Sequence, residues 1–271
     1  MEHEKPLWIV QGANALLDPV LRPLFRLLHL PVPATGELIP PYLVMAILIL
    51  LFWTVLGLML RSRLSVENPS RFQIVMEDMV GALVGLLDEW IGPKGRAFLP
   101  LVGSLGAFIL VGNYMGLIPG LMSPTSSMSV TAGCAITIWV YYNYQGIKAQ
   151  GIVAYLKHFA VPPGAPVWMA PLMIIIEPIS HVSRMLSLTL RLFGNIFGEE
   201  MIIAVLTSLV AYIVPLPIMV LSLITGALQA FIFVLLSIIY LQGAVHVEHE
   251  EHDHEHDASH PAKDVQPAAA Y

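Results

Sequence analysis

Residues 40–60 read PPYLVMAILILLFWTVLGLML, a run of 21 residues without a charged side chain. About 20 apolar residues are enough to cross the hydrocarbon core of a membrane as a helix. Three further charge-free stretches follow, at residues 97–147, 158–176 and 201–247. Only helices satisfy the backbone hydrogen bonds in lipid over runs of this length. The sequence therefore predicts an all-α integral membrane protein.

The composition agrees with a membrane protein. Of the 271 residues, 56% are hydrophobic and 12% are charged, whereas a soluble domain carries about 25% charged residues. The single cysteine, Cys134, excludes an intrachain disulfide and a thiolate metal cluster. No glycine-rich phosphate loop is present, so we expect no nucleotide chemistry and no cofactor.

About five membrane crossings are predicted, together with one surface helix. The stretch 97–147 has room for two helices joined by the polar turn IPGLMSPTSS at 118–127. Pro215 and Pro217 break the last stretch, so its helices should fold back as a hairpin. Residues 71–91 mix apolar and acidic residues at helical spacing, which favours an amphipathic helix near the membrane surface over a soluble connector.

Lysines and arginines set the expected orientation, because they concentrate on the cytoplasmic side. With five crossings, one side carries Lys5, Arg22 and Arg26, which places the N-terminus outside. The other side of the membrane collects Arg61, Arg63, Arg71, Lys94, Arg96, Lys148, Lys157 and Lys263.

The predicted domains are an extracytoplasmic segment (1–41), one membrane domain (42–243) and a disordered cytoplasmic tail rich in histidine and acidic residues (244–271).

The most informative stretch is PLMIIIEPISHVSRMLSLTLRLFGNIFGEEMIIAVL, residues 171–206. It is apolar enough to be embedded, yet it is charged, and ionisable groups inside a membrane are rarely kept without a function. At 100° per residue, five of its polar residues lie within roughly 40° on either side of one direction and form a stripe about 27 Å long. These are Glu177, Arg184, Ser187, Arg191 and Asn195.

Arg191 is the residue of this stripe that lacks a local partner. Glu177 could neutralise Arg184 across two turns, but Arg191 has no carboxylate three or four residues away. An unpaired guanidinium in lipid is untenable. We therefore expect its counter-charge elsewhere in the fold or on another chain. Glu200 points to nearly the opposite side of the same helix from Arg191.

Three motifs carry a resemblance to a known family: LSLTLRLFGNIFGEE (186–200), IIIEPISHVSR (174–184) and LQAFIFVLLSIIYL (228–241). They closely resemble subunit a of the F-type ATP synthase membrane sector, bacterial type. The stretch FLPLVGSLGAFILVGNYMGLIPG (98–120) and the following PTSS turn look like the same family, so the resemblance covers about residues 40–243.

The resemblance implies a stator that forms two half-channels for H⁺, or for Na⁺, beside a rotating ring of c subunits. Arg191 matches the arginine that faces the buried carboxylates of that ring, against which the last two long helices form their hairpin. Gln229 matches the glutamine near this arginine, while Asn195, Ser187 and Arg184 match positions close to it. Glu200 matches a group of the outer half-channel. Glu177 matches a glutamate of the cytoplasmic side.

Two departures from the family concern the outer half-channel. Some relatives have an aspartate where this chain has Ser127, and histidine or glutamate where it has Ser222. Glu199, beside Glu200, is a candidate to compensate for these two missing titratable groups. Asn113 is expected either to pack between helices or to line a channel. His181 is expected either to titrate near the stripe or to be a hydrogen-bonded structural histidine.

The expected partners are the c-subunit ring, the b subunits of the peripheral stalk, the remaining synthase subunits and the lipid bilayer, with no nucleic acid. The expected location is the bacterial inner membrane, and the chain itself is expected to be non-catalytic. An alternative is a secondary metal-ion transporter, because histidine-rich tracts can bind metal, although a solvated tail is favoured. The candidate ligands in the tail are His246, His249, His252, His254 and His256.

Overall fold

The computed structural model describes residues 9–12, 14–16, 19, 39–65, 67–118, 120–153, 155, 170–209 and 215–245. No strand occurs among these residues, and long helices account for most of them, so the prediction of an all-α fold is confirmed. The helices are α1 (Pro41–Arg63), α2 (Arg71–Trp90), α3 (Leu99–Met115), α4 (Met128–Gln150), α5 (Ala170–Leu209) and α6 (Pro215–Val245).

Four of the described segments are long and apolar enough to cross a membrane: 41–61, 93–115, 171–209 and 215–245. The fifth predicted crossing falls on α4, which has 23 residues and is about 35 Å long. It is less apolar than the other four, although Lys148 in its last turn is its one charged residue. The predicted helix at 71–91 is present as α2 and is not among the four apolar segments.

Local signals explain where several helices begin and end. Ser70 caps α2, since its side chain accepts a hydrogen bond from the backbone N–H of Gln73 at 3.2 Å. Gly151 ends α4 with a φ of 83°, a left-handed conformation that glycine adopts without steric cost. Short 3₁₀ turns at Pro93–Phe98 and Pro124–Ser126 precede α3 and α4.

The core lies between α3, α4, α5 and α6. Helices α3 and α6 approach closely at Gly106, where an added Cβ would lie 2.5 Å from Cγ2 of Val234. Helix α5 also packs against α6, as expected for the hairpin, although residues 210–214 between them lie outside the described residues. The buried side chains of this core include Val102, Ile109, Ile138, Leu192, Phe233, Ile238 and Leu241.

Helix α5 is covered by its own chain along one narrow face. Leu188, Leu192 and Ile196 are buried. Over an apolar stretch of 18 residues in this helix, however, only 11% of the residues are buried. The rest of its surface consists mainly of exposed large apolar side chains, such as Ile175, Ile179 and Leu190. An exposed apolar surface that extends along most of a helix needs lipid or another protein to cover it.

Candidate functional site

The polar stripe of α5 lies on an unbroken helix, because Pro178 is contained within the Ala170–Leu209 segment. Arg184, Ser187 and Arg191 are exposed, and Glu177 and Asn195 are half-buried. Among the described residues, none forms a hydrogen bond, an ion pair or a ring contact with the Arg191 guanidinium. The counter-charge expected for Arg191 is therefore not supplied by this part of the chain.

Gln229 lies in the core rather than at the exposed stripe. Its side chain is 4% exposed, and its Nε2 is buried without a hydrogen-bond partner among the described residues. Gln229 and Arg191 are not hydrogen-bonded to each other.

One group of polar side chains, linked mainly by hydrogen bonds, lies toward the end of α5 and includes Glu200. We call it the Glu200 cluster; it comprises Asn113, Ser123, Thr125, Glu199, Glu200 and Thr225. The backbone N–H of Ser123 donates to Oε1 of Glu200 at 3.2 Å. Gly116 leaves the space for this contact, since a Cβ there would lie 3.1 Å from the same oxygen.

Asn113 joins this cluster to the core. Its Nδ2 donates to the carbonyl of Gly226 on α6 at 3.0 Å, and its Oδ1 accepts from Thr125 Oγ1 at 2.8 Å. The hydroxyls of Ser123 and Thr125 are 2.7 Å apart and both side chains are fully buried. The hydrogen bonds thus run from the Pro124–Ser126 turn through α3 to α6. Asn113 is a packing residue between helices and, at the same time, part of this polar path.

Glu199 and Glu200 contact different elements, although they are adjacent in sequence. Glu199 Oε1 accepts a hydrogen bond from Thr225 Oγ1 on α6, whereas Glu200 faces the turn before α4. The two carboxylates diverge because successive helical residues are 100° apart. Each is therefore held by its own donor, on a separate neighbour of α5.

A second group of polar side chains lies toward the beginning of α5. This Glu177 cluster comprises Tyr142, Tyr155, Glu177, His181, Arg184 and Tyr240. The Tyr142 hydroxyl is 2.9 Å from His181 Nδ1, and His181 Nε2 is 3.6 Å from Glu177 Oε1. His181 is therefore hydrogen-bonded, as expected for a structural histidine. It also lies beside the Glu177 carboxylate.

Arg184 belongs to the Glu177 cluster through an aromatic ring rather than a carboxylate. Its guanidinium carbon lies 5.7 Å from the centre of the Tyr240 ring, a cation–π distance. No ion pair between Glu177 and Arg184 occurs within the described residues, so Glu177 adjoins His181 instead. The residues of the cluster line a cavity of about 160 Å³. A polar cavity of this size has room for water, which occupies about 30 Å³ per molecule in the liquid.

The two clusters lie on either side of Arg191 along α5. Glu177 is about 21 Å before it and Glu200 about 14 Å beyond it, from a rise of 1.5 Å per residue. Ser187 and Asn195 belong to neither cluster and flank Arg191 on the stripe. Carboxylate, imidazole and hydroxyl groups can exchange protons, whereas a guanidinium stays protonated. The arrangement therefore has two groups of side chains with the chemistry to exchange protons, one on either side of a permanent positive charge along α5.

Several residues of the two clusters have no counterpart among the sequence-based candidates. The polar turn at 118–127 is the only sequence signal for Ser123 and Thr125. The only signal for Thr225 is that it is a threonine within an apolar run. Tyr142 and Tyr240 look like ordinary aromatic residues near helix ends. The candidate metal ligands His246, His249, His252, His254 and His256 lie outside the described residues. Within those residues, no group of three histidine, cysteine or acidic side chains is arranged to hold a metal.

Known proteins resemble this chain over most of its length. Residues 42–242 match the family model of the ATP synthase A chain. ATP synthase subunit a 1 of Pelobacter propionicus is 39% identical over 244 residues, which cover 90% of this chain and 99% of that protein. ATP synthase subunit a of Aliarcobacter butzleri is 48% identical over 185 residues, or 68% and 80% of the two chains. This multi-pass membrane protein therefore belongs to the ATP synthase subunit a family, whose members act in ion transport and ATP synthesis.

Proposed function

We propose that this chain is the ion-conducting stator of a rotary ATP synthase, with two half-channels that meet at Arg191. In this proposal, ions enter one half-channel, ride on the carboxylates of the c-subunit ring, and leave by the other half-channel. The chain itself catalyses no nucleotide chemistry. The single observation that carries the proposal is the Arg191 guanidinium, which is exposed on a largely uncovered apolar helix and has no partner among the described residues.

Arg191 favours the ionised form of a carboxylate that comes close to it, because opposite charges stabilise each other. A passing ring carboxylate would therefore release its proton near Arg191. The guanidinium cannot relay that proton, since it does not deprotonate in proteins. Direct leakage between the two polar clusters would be blocked for the same reason.

The two polar clusters support the assignment of two half-channels. The Glu200 cluster would belong to the outer half-channel and the Glu177 cluster, with its cavity, to the cytoplasmic one. Gln229, Asn195 and Ser187 would line the region around Arg191. Asn113 and Glu199 would act in the outer half-channel, and His181 and Arg184 in the cytoplasmic one.

The proposal also specifies partners and location. The exposed face of α5 would contact the c-subunit ring, while the b subunits of the peripheral stalk and the remaining synthase subunits would hold the chain in place. The complex would lie in the bacterial inner membrane, with the N-terminus outside and the tail in the cytoplasm. The lysine and arginine distribution supports this orientation. The predicted domains, with one membrane domain at 42–243, belong to the same proposal.

Replacing Arg191 tests the proposal. We expect Arg191→Ala to leave the complex assembled but to stop ATP-driven proton pumping, because no fixed charge would then release the proton from the ring carboxylate. The measurement is acidification of vesicles that contain the assembled complex. Arg61→Ala, the same change at the end of α1, is the control and should pump normally. Normal pumping by assembled Arg191→Ala complexes would refute the proposal.

The alternative of a metal-ion transporter receives no support from a specific observation. Membership of the ATP synthase subunit a family accounts for the embedded arginine, which would repel a metal cation. The histidines of the tail do not enter the proposed pathway.

A further inference from the structure

Tyr142 occupies a central place in the Glu177 cluster, although no feature of the sequence assigns it a role. Its side chain is 3% exposed, and its ring centre lies 5.7 Å from that of His181 and 6.0 Å from that of Tyr240. Its hydroxyl points into the same cavity as Glu177 and Arg184. Through this hydroxyl, α4 contacts the polar residues of α5.

Tyr142, His181 and Glu177 form a short linear arrangement. The tyrosine hydroxyl meets Nδ1 of the imidazole at 2.9 Å, and the other ring nitrogen, Nε2, faces Glu177 Oε1 at 3.6 Å. The second distance is too long for a direct hydrogen bond. It is short enough for strong electrostatic interaction, and one small side-chain movement or one water molecule would connect the two groups.

The two ring nitrogens of a neutral histidine have opposite roles, since one donates a hydrogen bond and the other accepts one. If Tyr142 donates to Nδ1, the proton of the imidazole must be on Nε2, where it faces the oxygen of Glu177. If Nδ1 donates to Tyr142 instead, a lone pair on Nε2 faces the carboxylate and repels its ionised form. The first tautomer is therefore the more stable one whenever Glu177 is ionised.

We propose that Tyr142 is a positioning residue that holds His181 in the Nε2-protonated tautomer, so that the imidazole presents a proton donor to Glu177. This inference rests on the proposed function, in which the Glu177 cluster conducts protons. Among the described residues, the charged and titratable groups that line the cavity with His181 are Glu177 and Arg184 on α5, Tyr142 on α4, Tyr155 after α4 and Tyr240 on α6. Tyr142 hydrogen-bonds to Nδ1 of His181.

Removal of the hydroxyl alone tests this inference. Tyr142→Phe keeps the ring and its packing, and the neighbouring Tyr141→Phe is a matched control because Tyr141 contacts Phe98 through its ring. We expect Tyr142→Phe to lower ATP-driven proton pumping per assembled complex about fivefold, the factor that corresponds to one hydrogen bond of about 1 kcal/mol. Tyr141→Phe should leave pumping within twofold of the wild type.

Two further measurements separate positioning from a merely structural role. Tyr142→Phe should have no additional effect in a His181→Gln background, because coupled residues are not additive. The ¹⁵N NMR spectrum of complexes with labelled histidine should show the His181 signals, assigned by their loss in His181→Gln, as Nε2-protonated in the wild type. The same signals should change to a mixture of tautomers in Tyr142→Phe.

The inference is overturned if both phenylalanine variants pump equally, if the two substitutions have additive effects, or if the histidine tautomer is unchanged in Tyr142→Phe. Arg191→Ala, measured in the same vesicles, tells this failure apart from failure of the proposed function. If Arg191→Ala stops pumping while Tyr142→Phe behaves like its control, the proposed function stands and only the role of Tyr142 is lost. If Arg191→Ala pumps normally, both are refuted.

Discussion

The substitution Glu200→Gln tests the proposed outer half-channel. Glu200→Gln keeps an oxygen that can accept the hydrogen bond from the Ser123 N–H, which is 3.2 Å away in the wild type. The change removes the charge and the ability to titrate. Replacing a charge-assisted hydrogen bond by a neutral one costs about 1 kcal/mol, against a typical free energy of unfolding of about 5–15 kcal/mol. The variant should therefore fold and assemble.

The effect on transport should be much larger than the effect on stability. A positioned group that accepts and donates protons contributes about 10²–10⁴-fold to a rate. Glu200 lies about 14 Å beyond Arg191 along α5, so the ring carboxylate near Arg191 cannot substitute for it by direct contact. With Ser127 and Ser222 unable to titrate, we expect proton flux through Glu200→Gln to fall by about 100-fold or more.

Glu199→Gln is the matched variant, because it also keeps an oxygen acceptor, here for Thr225 Oγ1. Its carboxylate contacts α6 rather than Ser123, whose hydroxyl belongs to the buried hydrogen bonds before α4, so we expect a smaller loss than for Glu200→Gln. The assay is proton flux through vesicles with equal amounts of assembled complex. Wild-type flux in both single variants and in the double variant would remove Glu200 from the pathway and refute the reasoning.

Two further predictions concern the scaffold. In unfolding measurements, Gly106→Ala should lower the free energy of unfolding by about 1–3 kcal/mol, because the added Cβ would lie 2.5 Å from Val234 Cγ2. Gly103→Ala is the control, since its Cβ would have no neighbour closer than 3.9 Å. Equal free energies of unfolding for the two variants would contradict the prediction. The Arg96 guanidinium donates to Asp88 at 2.6 Å and holds the pKa of that carboxyl below its usual range. The ion pair therefore stabilises the folded state at neutral pH, and this contribution is lost as the pH falls through the lowered pKa. Asp88→Asn should abolish this part of the pH dependence in unfolding measured between about pH 2 and pH 5, and an unchanged profile would exclude the pair as its cause.

Sequence patterns were sufficient to predict the helices and the isolated arginine in one of them. Charge-free runs longer than about 20 residues have one stable backbone conformation in lipid, which made an all-α membrane fold predictable. The amphipathic pattern of 71–91 and the prolines at 215 and 217 are local signals, so α2 and the beginning of α6 at Pro215 were predictable as well. Arg191 without a carboxylate at helical spacing is likewise a property of sequence alone. Family motifs added candidate roles for residues such as Glu200 and Gln229.

Which polar groups meet could not be predicted from the sequence, because it depends on the packing of distant segments. Glu199 and Glu200 are adjacent, yet the packing of α6 and of the Pro124–Ser126 turn around α5 gives them different donors. Asn113 contacts Gly226 at a separation of 113 residues, and Tyr142 contacts His181 at a separation of 39. Such contacts depend on how helices pack side by side, and helical periodicity specifies which face of a helix is polar without specifying which neighbour that face will contact.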